Sequence, residues 1–180
     1  MVQGVIIDES TNCIINTNPA TGEIISHVKC TTLEELNDMI TKAKIAQMSW
    51  SFDVTLEERI TLLKKCLQHI KSNYYDQLVT MIVKEMGKPI REAKIEMDCA
   101  TSIEDTDENG YLNILHDSLK PQTYNNSTIV RHPLGIVGIL SPWNFPVDEI
   151  LLLALPSLAS GNTGTYIICK TTHVVATQKK

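Results

Sequence analysis

The sequence lacks the patterns that mark several classes of protein. Its five cysteines are widely spaced and contain no C-x-x-C pair, and no histidine cluster lies beside them. A metal site is therefore not expected, and a reduced, cytoplasmic setting is favoured. Acidic residues outnumber basic ones and give a formal net charge of −5, which argues against nucleic acid or an anionic membrane surface as a partner.

Targeting and membrane-spanning patterns are missing as well. The first residues include the acidic pair Asp8 and Glu9 and show no basic stretch followed by an apolar one, so no signal segment is predicted. The apolar run at 150–159 is about half as long as a bilayer span requires. With 180 residues, 43% of them hydrophobic and 21% charged, we expect a soluble globular protein of one domain or slightly more.

Residues 135–146 hold the most informative pattern in the chain. Gly135 to Leu140 is an apolar run without charge, too short for an ordinary helix, and it predicts a strand that is buried on both faces. Pro142 and Pro146 then fix the backbone on either side of a Trp-Asn-Phe tripeptide. The sequence therefore predicts a tight loop directly after a buried strand.

A helix and a second strand are predicted after this loop. Asp148 is placed as an N-cap or first-turn acid for an apolar helix over 150–159, and Gly161 is placed for the left-handed residue after the helix. The run Tyr166–Cys169 predicts the second strand. Because the helix is apolar nearly all round, we expect it to be buried between layers.

Strand, loop, helix and strand form the opening of a parallel α/β unit. Ligands in such sheets bind beyond the carboxyl ends of the strands. Asn144 follows the first predicted strand and Lys170 follows the second. We therefore expect both side chains at one ligand-binding edge.

The preceding residues predict short strands followed by helices. The turn Asn18–Gly22 within residues 1–30 predicts a strand, a turn and an edge strand. Capping boxes predict helix starts at Thr31 with Glu34 and at Thr55 with Glu58. A third helical stretch ends at Gly87, and Pro89 opens a fourth.

The region between the helices and the loop carries weaker signals. The acidic run Glu104–Glu108 predicts a solvated face. Thr123 to Arg131 alternates polar and apolar residues behind the turn residues Asn125 and Asn126, which predicts a hairpin or a projecting ribbon.

Two neighbouring strings carry a resemblance to a known family. Pro142-Trp-Asn-Phe-Pro146 and Leu155-Pro-Ser-Leu-Ala-Ser-Gly-Asn-Thr163 closely resemble the NAD(P)-dependent aldehyde dehydrogenase superfamily. The resemblance extends from about Asn16 to about Lys170, and the segment 85–93 looks most like the succinate-semialdehyde dehydrogenase branch. It identifies the chain as similar to the N-terminal part of these enzymes.

The resemblance implies an α/β fold in three parts. Residues 1–117 would form strands and the N-terminal helical layer, and residues 118–134 an arm strand through which subunits associate. Residues 135–180 would form the first strand-helix-strand of a Rossmann-like NAD(P)-binding domain, so that the aldehyde dehydrogenase fold is truncated. A homo-oligomer is the assembly that this arm implies.

The resemblance also assigns catalysis and cofactor binding to the predicted loop. Asn144 would donate its side-chain amide to the oxyanion of the reacting aldehyde. Ser141, Pro142, Trp143 and Asn144, together with Lys170, would contact the cofactor, NAD or NADP. From the residues alone, Asn144 could instead cap the following helix, and Lys170 could be a solvated residue at the end of a strand.

The sequence departs from the family around Lys170. Gly164-Thr-Tyr166 looks like a three-residue insertion ahead of the second strand, and Thr171-Thr-His173 replaces the usual Pro-Ser-Glu. A glutamate at that point would select NAD through the ribose hydroxyls. With His173 in its place, the preference between NAD and NADP is open.

The family's nucleophile and general base lie further along than the residues present here. Cys169 lies in an apolar strand, where a cysteine is usually inert. We therefore expect this chain alone to be inactive and to bind NAD or NADP weakly or not at all. Two functions stay open: part of an enzyme that oxidises an aldehyde such as succinate semialdehyde to a carboxylic acid, or a non-catalytic truncated remnant that associates with full-length subunits.

Overall fold

The computed structural model describes residues 7–8, 10–102 and 110–168, and begins with an antiparallel sheet of three strands. The strands are β1 (Ile7–Asp8), β2 (Cys13–Thr17) and β3 (Ile24–Lys29), in that order. The turn between β2 and β3 is closed by a hydrogen bond from the Asn18 amide to the Glu23 carbonyl oxygen, at 2.8 Å. The predicted strand, turn and edge strand are confirmed.

Helix α1 (Leu33–Phe52) begins one residue later than the sequence predicts. Thr32, not Thr31, is the N-cap, and its hydroxyl accepts a hydrogen bond from the Glu35 amide at 3.2 Å. Both threonines have a glutamate three residues on, so the local pattern fits either start. Glu35 also pairs with Lys29 of β3 at 2.6 Å, which favours the later start.

Helix α2 (Leu56–Met86) is continuous, although its sequence predicts two separate helices. Its predicted capping box of Thr55 and Glu58 is confirmed, and so is its end at Gly87, which has φ of +70°. No proline or glycine lies between these ends, so the ladder of backbone hydrogen bonds continues through all 31 residues. The separation into two helices was wrong.

Helices α3 (Ile90–Ala100) and α4 (Tyr111–Leu119) complete the helical layer. Pro89 is the N-cap of α3, close to the first-turn position predicted for it. The helices bury two neighbouring apolar clusters. One contains Ile70, Leu78, Val79, Ile82, Ala93, Met97, Ala100 and Val147, and the other contains Ile60, Leu63, Leu67, Leu112, Leu155 and Ala159.

A short hairpin follows, made of β4 (Gln122–Tyr124) and β5 (Ser127–Ile129). Asn125 turns the chain with φ of +52°, a conformation that asparagine tolerates. The hairpin prediction is confirmed, and β5 is exposed along its whole length. Whether this hairpin joins subunits stays a prediction.

The last part is a parallel unit of β6 (Ile136–Ser141), α5 (Asp148–Ala159) and β7 (Thr163–Ile168). The strands pair from Ile136 with Thr163 to Ser141 with Ile168. Gly161 ends the helix with φ of +86°, as predicted. This arrangement confirms the predicted α/β class.

Two details of this unit differ from the sequence predictions. Strand β7 begins at Thr163, so Gly164 to Tyr166 lie within the strand and not ahead of it. Strand β6 is not buried on both faces, because Leu140 is 72% exposed while Ile139 is buried. At the end of β6, Ile139 and Ser141 are buried on one face and Leu140 is exposed on the other. Across the described ranges, none of the helices combines the length and the apolar character that crossing a bilayer requires.

Candidate functional site

The loop after β6 is anchored at both ends and exposed in the middle. Ser141, the last residue of β6, and Pro146 are both buried. Between them, the side chains of residues 142–145 lie at the surface. The sequence prediction of a tight loop at the carboxyl end of a strand is therefore confirmed.

The side chain of Asn144 is exposed and has no hydrogen-bond partner among the described residues. Within the described ranges its amide makes no hydrogen bond, and it does not cap α5. That N-terminus is capped from another element: the Glu96 carboxylate accepts hydrogen bonds from the amides of Val147, at 2.9 Å, and Asp148, at 3.4 Å. The capping alternative for Asn144 was wrong, and its amide is free to meet a ligand.

Glu96 is held by a buried ion pair. Its second oxygen lies 2.6 Å from the Lys88 ammonium, and the two side chains are 0% and 17% exposed. Lys88 also lies over the ring of Phe145, 3.7 Å from the ring centroid. One pair of charges thus contacts both the exposed loop and the first turn of α5.

The start of α5 carries a perturbed acid. Burial raises the pKa of the Asp148 carboxyl, and the neighbouring Glu96 and Glu149 carboxylates raise it further, while Lys88 opposes them. Asp148 lies in the first turn of the helix, as the sequence predicted. The carboxyl groups of Glu96, Asp148 and Glu149 therefore lie near one another at the start of α5.

The other end of α5 is fixed by α1 and α2. The indole of Trp50 donates to the Leu158 carbonyl oxygen at 3.0 Å, and the Arg59 guanidinium donates to the Ala159 carbonyl oxygen at 2.9 Å. The Gln47 amide donates to the Gly161 carbonyl oxygen and accepts from the Thr163 amide. Burial lowers the pKa of Arg59. Polar side chains of the helical layer therefore hold both ends of the helix that follows the loop.

A second buried acid lies away from the loop. Glu85 and Asn16 are almost fully buried, and both Glu85 oxygens and the Asn16 carbonyl oxygen lack hydrogen-bond partners within the described ranges. Burial raises the pKa of Glu85 to about 7, and the neighbouring Asn16 offsets part of that rise. In the parts of the chain that the structure describes, no group of three or more His, Cys, Asp or Glu side chains is placed to hold a metal.

The structure brings Ser141, Pro142, Trp143 and Asn144 together at the carboxyl end of β6. Lys170, Cys169 and His173 lie outside the described residues, as does the acidic run at 104–108. The roles of Lys88 and Glu96 were not predicted from the sequence, because the pattern around them indicated only a helix end at Gly87 and a helix start at Pro89. One signal was available: Glu96 lies on the same stripe as Ala93, Met97 and Ala100, where a buried acid needs a partner.

These features define the class of protein. The parallel strand-helix-strand unit of β6, α5 and β7, next to a layer of helices, defines an α/β protein. Residues 6–178 match the Aldehyde dehydrogenase family, and the chain belongs to that family.

Known proteins of similar sequence and structure agree with this assignment. The mitochondrial succinate-semialdehyde dehydrogenase of Arabidopsis thaliana is 33% identical over 165 residues, which cover 91% of this chain and 31% of that protein. The NADP-dependent glyceraldehyde-3-phosphate dehydrogenase of Bacillus halodurans C-125, solved with NADP, superposes with a TM-score of 0.79 at 23% identity, covering 96% of this chain and 37% of that one.

A third similar protein is the succinic semialdehyde dehydrogenase of Streptococcus pyogenes, solved in complex with NADP+. Its TM-score is 0.77 at 22% identity, with 91% of this chain and 36% of that chain covered. At these identities the two structures show the fold. The chain spans about a third of the length of the relatives that it matches.

Proposed function

We propose that this chain supplies the oxyanion donor and part of the cofactor site of an NAD(P)-dependent aldehyde dehydrogenase. The observation that carries the proposal is the exposed, uncommitted amide of Asn144 on a loop anchored at both ends. An aldehyde attacked by a nucleophile develops negative charge on its oxygen. A neutral amide donor held in place stabilises that charge without having to reorganise.

The cofactor site in this proposal is the carboxyl edge of the parallel sheet. Ser141, Pro142, Trp143 and Asn144 would meet NAD or NADP there, and Lys170 would follow the neighbouring strand. Exposure of residues 142–145 supports this role, because a cofactor needs accessible groups. The hydride acceptor would be the nicotinamide of the bound cofactor.

The substrate class in this proposal is a semialdehyde. The similarity to the Arabidopsis thaliana enzyme named for succinate semialdehyde supports it. Oxidation would give the corresponding carboxylic acid, and a cytoplasmic, homo-oligomeric enzyme is part of the proposal. Within the described residues Cys13, Cys30, Cys66 and Cys99 are free thiols, which is consistent with a reduced compartment.

The test is the substitution Asn144→Ala in an active enzyme that contains these residues. We expect kcat to fall by about 10²–10³ with cofactor affinity nearly unchanged, because only the transition state carries the oxyanion. Asn37→Ala is the matched control, since Asn37 is an exposed asparagine on α1 away from the loop. A fall of less than tenfold in a folded Asn144→Ala enzyme would remove Asn144 from catalysis.

A second function is a non-catalytic chain that associates with longer relatives. The exposed leucines on and beside β6, Leu134 and Leu140, favour it, because they offer an apolar surface for another subunit. An assay of the purified chain with succinate semialdehyde and either NAD or NADP tests whether the chain is catalytic by itself. We expect no reduced cofactor to form, and turnover that is lost in Cys169→Ser would contradict that expectation.

A further inference from the structure

Two buried glutamates of the helical layer have opposite surroundings. Glu85 has no hydrogen-bond partner within the described ranges, whereas both oxygens of Glu96 are used. One Glu96 oxygen meets the Lys88 ammonium at 2.6 Å and the other meets the Val147 amide at 2.9 Å. A buried carboxylate is tolerated when charge and hydrogen bonds compensate for the lost water. The Glu96 surroundings therefore fit an ionised group with a structural task.

That task is directed at the loop. Lys88 contacts Phe145 through its ammonium and the aromatic ring, a cation–π contact. Glu96 contacts Val147 and Asp148, which begin α5. These contacts lie one, three and four residues beyond Asn144 along the chain. The pair thus holds the loop on the side that leads into the helix, while buried Ser141 holds the other side.

We propose that the Lys88–Glu96 ion pair positions the loop of residues 142–147 and thereby sets the place of the Asn144 amide. The catalytic purpose of this positioning rests on the proposed function of Asn144. Neither side chain occupies the exposed tip of the loop, so both are positioning residues. A donor that is displaced by a fraction of its hydrogen-bond length stabilises the transition state less.

A purely structural role predicts a different result from a positioning role. If the pair only stabilised the packing of α2, α3 and α5, its loss would affect all three helices alike. If it positions the loop, its loss loosens residues 142–148 and leaves the interior of α2 unchanged. Backbone amide exchange separates these outcomes, because each peptide reports its own local opening.

The experiment is hydrogen–deuterium exchange followed by mass spectrometry on the whole chain, a measurement that needs neither turnover nor cofactor. The variants are Lys88→Met, which keeps the length of the stem without its charge, and Glu96→Gln, which keeps an acceptor for Val147. Lys88→Arg is the conservative rescue. The matched control is Lys29→Met with Glu35→Gln, since that pair has the same 2.6 Å separation but is 64% and 46% exposed.

We expect exchange in the peptide 142–148 to rise about tenfold in Lys88→Met, and by less in Glu96→Gln, which retains an acceptor. Lys88→Arg should return it to within about twofold of the parent chain, because the arginine keeps the charge. The control pair should leave it unchanged. An unchanged rate in Lys88→Met, or an equal rise in the peptide 60–70, would overturn the positioning role.

This outcome is independent of the Asn144 test. Should Lys88→Met fail to fold, Glu96→Gln carries the measurement, and a rate equal to that of the parent chain would then reject the proposal. Loosening of the loop together with a small effect of Asn144→Ala on kcat would keep the positioning role and reject the catalytic one.

Discussion

The centre of the helical layer and strand β6 of the parallel unit differ in how fully their apolar residues are covered. In the helical layer, Ile82 and Met97 are fully buried. In the parallel unit, Leu140 is 72% exposed and Leu152 and Leu153 of α5 are partly exposed, although Leu155 of the same helix is buried. The clusters of the helical layer are completed by α5 residues such as Val147 and Leu155, whereas Leu140 on the other face of β6 stays exposed among the described residues.

This difference shows what each part requires. A helical layer buries its stripes against neighbouring helices, which here include α5 of the parallel unit. A parallel sheet is ordinarily covered on both faces, and its strands are apolar on both faces for that reason. The apolar sequence of β6 is therefore typical of a strand that is covered on both faces. Among the described residues, only the face of Ile139 is covered. The apolar residue Leu140 on the other face is exposed within the described residues.

The largest expected effect is a core substitution in the helical layer. Ile82→Ala should lower the free energy of unfolding by about 3–4 kcal/mol, because it removes buried methyl groups and leaves a cavity. Leu140→Ala is the control in the parallel unit and should change it by less than about 0.5 kcal/mol, since the side chain is already exposed. Urea denaturation measures both. Equal losses would show that β6 is covered in solution.

The next effect concerns the pH dependence of stability. The pKa of Glu85 is about 7 in the folded chain and near 4.5 in the unfolded chain, so folding favours the protonated form. Stability from this group is fully present below pH 4.5 and is lost as the pH rises through 7. We expect a loss on the order of 2–3 kcal/mol between pH 4.5 and 8.

The control for this effect is Glu85→Gln, which carries no titratable proton. Urea denaturation at several pH values should show a flatter profile for this variant than for the parent chain. If the free energy of unfolding varied with pH equally in both chains, Glu85 would be solvated in the folded state.

A smaller effect is expected on association. The exposed apolar face of the parallel unit predicts that the chain self-associates or binds a relative. Leu140→Lys should weaken self-association about tenfold by placing a charge on that face. Ile45→Lys is the matched control, because Ile45 is also 72% exposed but lies on α1. Size-exclusion chromatography with light scattering measures the mass, and a monomeric parent chain would contradict the prediction.

The smallest effect distinguishes the two possible starts of α1. Thr32→Ala should lower the free energy of unfolding by about 0.5–1 kcal/mol, because Thr32 accepts the Glu35 amide hydrogen bond. Thr31→Ala should have no measurable effect. Urea denaturation measures both variants. A larger loss in Thr31→Ala than in Thr32→Ala would show that α1 begins after Thr31, as the sequence predicted.

Features that depend on neighbouring residues could be predicted from the amino-acid sequence. Pro142 and Pro146 fixed the loop, Thr55 with Glu58 fixed a helix start, and Gly87 and Gly161 fixed helix ends. Such signals act within one turn of backbone, so the sequence contains them completely. The resemblance to the family depended on the same loop.

Features that depend on distant contacts could not be predicted in this way. Glu96 accepts a hydrogen bond from the Val147 amide, 51 residues later, at the start of α5, and Lys88 reaches the ring of Phe145. The exposure of Leu140 depends on what packs against β6, not on the apolar character of the residue. Burial and electrostatic pairing are properties of the assembled chain, because they require groups that the sequence keeps far apart.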